Sequence, residues 1–114
     1  HETTLRAANN CASSFLSLER FEEAKSLLRK IMPVARRVLG ESHEITLKMR
    51  WSYAATLCNA DGASLDDVRE AVAMLEDVER IARRVFGGAH PLTVEIERSL
   101  REARAALAAR ETAA

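Results

Sequence analysis

Apolar residues recur at intervals of three and four along most of this chain, and the recurrence breaks at four places. Residues 3 to 17 put Leu5, Ala8, Ala12 and Phe15 on one side of a helix. A polar break from Ser17 to Arg20 follows. Residues 21 to 39 then align Phe21, Ala24, Leu28, Ile31, Ala35 and Val38 on a second helix, with Gly40 as its stop. Pro33 falls inside that helix and is expected to kink or shorten it, because an interior proline costs about 3 kcal/mol. Ser42 or His43 caps a third helix that runs to about Cys58 and turns Tyr53, Ala54 and Leu57 inward. The turn NADGAS, residues 59 to 64, leads to an N-cap at Ser64, with Asp66 and Asp67 placed to suit the helix dipole. The fourth helix spans Leu65 to Phe86 and stops at Gly87 and Gly88. The fifth opens with Pro91 at its first position. It buries Ile96, Leu100, Ala103 and Leu107, while Glu95, Arg98, Arg101, Glu102 and Arg104 face water. The expected fold class is all-α.

The pattern is also repeated. RRVLGESHEIT, from residue 36, matches RRVFGGAHPLT, from residue 83, at six of eleven positions, where chance gives roughly one. His1, His43 and His90 mark the period, 42 residues and then 47, so the second unit holds five extra residues. A helix pair cannot bury its apolar side alone, so pairs stack. The domain plan is therefore one unit: repeat 1 over 1–42, repeat 2 over 43–89, a capping helix over 90–110 and a tail over 111–114. This is a solenoid of two helix pairs plus a C-terminal capping helix, wound as a right-handed superhelix.

Composition narrows the function. The chain of 114 residues is 47% hydrophobic and formally neutral, which removes any overall attraction to nucleic acid or to an anionic membrane. No stretch approaches the roughly 18 apolar residues of a membrane helix. The start, HETTLRAANN, has no apolar core of a signal peptide, and the absence of Met suggests a piece of something longer. Cys11 and Cys58, without CxxC spacing, argue for a reducing, cytoplasmic compartment and against a redox motif. HETTL and HEITL share the His-Glu of a zinc helix, but Leu5 and Leu47 stand where the second His belongs, so no metal is expected. There is no nucleophile–base pair, no paired carboxylates placed for acid–base work and no phosphate loop. The chain is read as a non-enzyme without a cofactor.

Three segments carry a family resemblance. LGESHEIT and FGGAHPLT are similar to the link between helix pairs in tetratricopeptide repeats of the kinesin light chain type. NNCA, Asn9 to Ala12, resembles that family's Asn-Asn-Leu-Ala, and FEEAKSLL, Phe21 to Leu28, resembles its Tyr-Glu-Glu-Ala-x-x-Leu-Tyr. The resemblance implies a protein-binding scaffold whose concave groove is lined by the first helix of each pair. Carried over by position, the groove comprises Arg6, Asn9, Asn10, Ser13 and Leu16 in the first unit. In the second it comprises Lys48, Trp51, Ser52 and Ala55, with Asn59 at the rim. Asparagine amides there would hold a partner's backbone. The second unit departs, with Trp51 and Ser52 in place of two asparagines. In the third, Arg101 replaces the small Ala of Ala12 and Ala54, as suits a cap.

Other residues have competing readings. Arg6 and Lys48 at equivalent groove positions point to an acidic partner segment. Trp51 is either wedged between helices or an aromatic anchor for a partner. Cys11, beside Ala12, reads as a buried inert thiol. Arg36, Arg37, Arg83 and Arg84 read as a solvated face rather than a nucleic-acid stripe. The insertion is a longer turn or a projecting contact loop. The alternative function is structural: Leu5, Ala8 and Phe15 would dock onto an upstream repeat or a second copy of the chain, giving a homo-oligomer.

Overall fold

A computed structural model describes residues 2–60 and 62–113, and its regular structure is five α-helices. These are α1 (Glu2–Ser17), α2 (Phe21–Val38), α3 (Glu44–Asn59), α4 (Leu65–Phe86) and α5 (Pro91–Ala113). Successive helices pack against one another. The odd helices also meet in series, α1 on α3 and α3 on α5. Among the described residues α2 and α4 do not approach each other. The stack is thus closed along the odd helices and fanned along the even ones, which puts the concave side on α1, α3 and α5.

The repeated link has a physical reason at each end. Gly40 and Gly87 sit at φ 92° and 91°, a region that side chains avoid, and each turns the chain out of the preceding helix. Three residues on, His43 and His90 each place a ring Nδ1 3.1 Å from a backbone N–H, of Ile45 and Leu92, and accept its hydrogen bond. The histidine fills the N-cap role with a ring nitrogen in place of the usual side-chain oxygen. His90 also stacks on Phe86, with centroids 4.7 Å apart. His1 lies outside the described residues.

The extra residues of the second unit fall between α3 and α4 in sequence, and Asp61 among them lies outside the described residues. Leu65 to Asp67, whose counterparts Leu18 to Arg20 are the turn of the first unit, become the first turn of α4. Ser64 and Asp67 cap it reciprocally at 3.0 Å each way. α2 has no such cap: Arg20 stands at its N-cap without a side-chain capping hydrogen bond, its guanidinium donating instead to Glu23.

α3 is the centre of the core and touches all four other helices. Its Ile45, Leu47, Met49, Tyr53, Ala54 and Leu57 join Leu28, Ala35, Val78, Ile96 and Leu100 in one apolar cluster. Arg50 is buried there too. Its guanidinium lies 2.9 Å from Asp77 of α4 and 3.8 Å from Glu41 of the link, so the charge is paired on two sides. The Arg29 guanidinium donates to the Tyr53 hydroxyl at 3.0 Å and ties α2 to α3.

Several expectations are corrected. Pro33 does not shorten α2, which runs five residues past it. Pro33 and Arg29 are both exposed, so the carbonyl that loses its donor lies on the water side. Val38 is 52% exposed, whereas Leu39 after it turns onto the core. Cys11 is exposed rather than core, since it lies one residue, about 100° of helix rotation, from buried Ala12. Leu5 is buried in the chain's own cluster and Ala8 and Phe15 are half-buried, so α1 does not present that face outward. Residues 111–113, expected as tail, continue α5, and Ala114 lies outside the described residues.

Candidate binding cleft

Along α3 only one stripe escapes full burial: Glu44, Lys48, Trp51, Ser52, Ala55, Cys58 and Asn59. These positions recur at helical spacing and face the concave side. The matching stripe of α5 carries Ser99, Glu102, Ala103 and Ala106. Between the two stripes the surface opens into a cleft of about 480 Å³, counting its open mouth. Trp51, Ala54, Ala55, Cys58 and Asn59 form one wall and the α5 residues the other, with Leu75 of α4 beneath.

Trp51 crosses the seam at one end. Its indole Nε1–H donates to the Ser99 hydroxyl at 2.9 Å, the only side-chain hydrogen bond between α3 and α5 among the described residues. The bond fixes the ring and satisfies its polar atom, leaving an apolar surface to the cleft. Ala54, Ala55, Ala103 and Ala106 offer only methyl groups, so the depth of the cleft comes from side chains that are small, not from a gap in the backbone. The Asn59 amide donates to the Ala55 carbonyl at 2.9 Å, which leaves its own carbonyl oxygen at the rim. Burial pushes the Cys58 thiol up from its ordinary value, so it stays protonated as a weakly polar wall.

Of the groove residues expected from the sequence, the cleft contains Trp51, Ala55 and Asn59. Arg6, Asn10 and Ser13 are exposed on α1 and do not line it. Lys48 and Ser52 are half-buried on α3 and Leu16 half-buried on α1, all outside the cleft. Asn9 is only 7% exposed, and its amide oxygen is enclosed without a hydrogen-bond partner. It is therefore a seam residue and not an open amide for a peptide backbone. Arg6 pairs with Glu2 at 3.0 Å and Lys48 with Glu44 at 3.7 Å, so both cations have carboxylates in their own helices. The Arg6 hydrogen bond holds the Glu2 carboxyl below its usual range. Each pair is local to one helix and open to water.

The α5 wall was missing from the sequence reading. Its signal was available: Ser99, Ala103 and Ala106 are small residues at intervals of four and three, in register with Ala54 and Ala55. No group of three or more His, Cys, Asp or Glu is placed to hold a metal ion among the described residues. No helix there is long and apolar enough to cross a membrane.

A family model described as tetratricopeptide repeat matches residues 4–44 and 63–92, more than half of the chain. The matched stretches take in α1, α2, α4 and both links, and they flank α3. No curated protein and no solved structure matches the chain.

Proposed function

We propose, from the premise that the chain belongs to the tetratricopeptide repeat family, whose repeats generally mediate protein–protein interaction, that this molecule is a non-catalytic binding module whose partner seats in the cleft between α3 and α5. The carrying observation is the cleft itself, a methyl-lined depression on the concave side with a pinned tryptophan at one end. Trp is enriched at the energetic centres of interfaces, and it acts there as a rigid anchor in a desolvated pocket. The first unit supports the same site by contrast: its counterpart of Trp51 is buried Asn9, and its seam is closed. Binding by a longer stretch that also crosses α1 would add Asn10 and Ser13 at the far edge.

The test uses peptides selected from a random phage-displayed library for binding to the intact chain. Ala106 is exposed and lines the cleft, so Ala106→Phe fills it without touching the core. The expected result is that selected peptides change Trp51 fluorescence and lose binding to Ala106→Phe and to Ala55→Phe. Peptides that bind both variants as they bind the original chain would sink the cleft as the site.

A further inference from the structure

We infer that the segment received by the cleft carries a large apolar side chain with a lysine or arginine close to it in sequence. This rests on the cleft reading above and adds the chemistry of the partner. The walls supply methyl groups and the face of an indole, so an occupant must bring its own bulk: the site complements a long aliphatic or aromatic side chain, not another small one. The charged group at the rim is an acceptor. Glu102 of α5 lines the cleft and is exposed, and among the described residues its carboxylate forms no ion pair. Asn59, across from it on α3, donates one amide N–H to the Ala55 carbonyl and keeps its carbonyl oxygen and second N–H for an occupant. The Ser99 hydroxyl accepts from Trp51. A carboxylate on the wall of an apolar trough matches an ammonium or a guanidinium.

Cations lie nearby as well, with exposed Arg101 next to Glu102 in sequence. Lys48 is paired with Glu44, and Arg98 with Glu95, each within its own helix. Arg110 approaches the Cys58 end of the cleft. It lies eight residues beyond Glu102, about 12 Å along the helix. At physiological salt the screening length is about 8 Å, so Arg110 disfavours a cation at the Asn59 end and leaves Glu102 as the place of the preference. The preference is thus opposite in sign to the acidic partner that Arg6 and Lys48 suggest when read from sequence alone.

The selected peptides are the probes. The expected outcome is enrichment of Lys or Arg next to an apolar anchor. Glu102→Gln should then weaken each peptide about two- to fivefold, the range of an exposed ion pair. Exchanging the peptide's basic residue for Gln should weaken binding to the original chain by the same factor and leave binding to Glu102→Gln unchanged. Enrichment of acidic or uncharged peptides, or affinity unaltered by Glu102→Gln, would overturn the inference. The two readings fail separately. Peptides blocked by Ala106→Phe but indifferent to Glu102 defeat the charge preference alone, whereas peptides indifferent to Ala106→Phe defeat the cleft as well.

Discussion

The seams on either side of α3 are built from equivalent positions and have opposite characters. Between α1 and α3, Asn9 is buried and Ala12 fully so, and the helices close on each other. Between α3 and α5, Trp51 and Ala54 take those two places, and a cleft opens beside them. Helix separation follows the bulk of the side chains at the contact. An indole stands across the second seam, and the alanines beyond it leave the space unfilled. At one repeated position, then, Asn9 marks a closed seam and Trp51 an open one.

Like-for-like changes should expose the contrast most strongly. Ala12→Leu must overpack a closed seam and should cost about 1–3 kcal/mol. Ala55→Leu, at a half-buried position on the cleft wall, points its added bulk at the cleft and should cost well under that while blocking peptide capture. Urea unfolding of the two variants checks this, and equal costs would mean that the seams are packed alike.

Asn9 gives the next largest effect. Its enclosed amide oxygen lacks a partner, an arrangement that costs about 1–3 kcal/mol. Asn9→Leu, similar in shape, should therefore stabilise the chain by about 1 kcal/mol or more in the same unfolding assay. A loss of stability would show that the amide is supported in a way its surroundings do not reveal.

A smaller change is expected on the other side. Trp51→Phe keeps an aromatic ring but removes the donor to Ser99, which should cost about 1 kcal/mol. Because that bond alone spans α3 and α5, hydrogen exchange should quicken in α5 and not in α1.

The even helices repeat the contrast at lower energy. The Ser64 backbone N–H holds the Asp67 carboxyl below its ordinary range, and α2 has no equivalent. A depressed carboxyl pKa adds stability that is complete above the ordinary aspartate value near 3.9 and is lost as pH falls through the lowered one. Thermal unfolding followed between those limits should show an acid-dependent slope that Asp67→Asn reduces. An unchanged slope would place the acid sensitivity elsewhere.

The helices and their repeat were legible because periodicity and the Gly-x-x-His link are local. Gly40 and Gly87 stop a helix and His43 and His90 start one within three residues, so no distant contact is needed. Ser64 and Asp67 were legible for the same reason. Burial at the margins was not. Cys11 differs from Ala12 only in direction around the helix, and Val38 keeps the period of α2 yet faces water beside Leu39, which packs on the core. The site was legible on one wall only. Trp51, Ala55 and Asn59 follow from the position of α3 in a stack, but the α5 wall depends on how far α5 stands from α3. That distance is written in neither helix alone. The ion pairs of Arg6 and Lys48 were legible as well, since each has a glutamate four residues earlier.

The most direct test of the account is a map of amide and indole chemical-shift changes when a selected peptide is added to the isotopically labelled chain. The account predicts changes centred on the Trp51 indole N–H, Ala55, Ser99 and Ala106, with Asn10 and Ser13 little affected. Changes concentrated on Asn10 and Ser13 of α1, with the Trp51 indole silent, would contradict it.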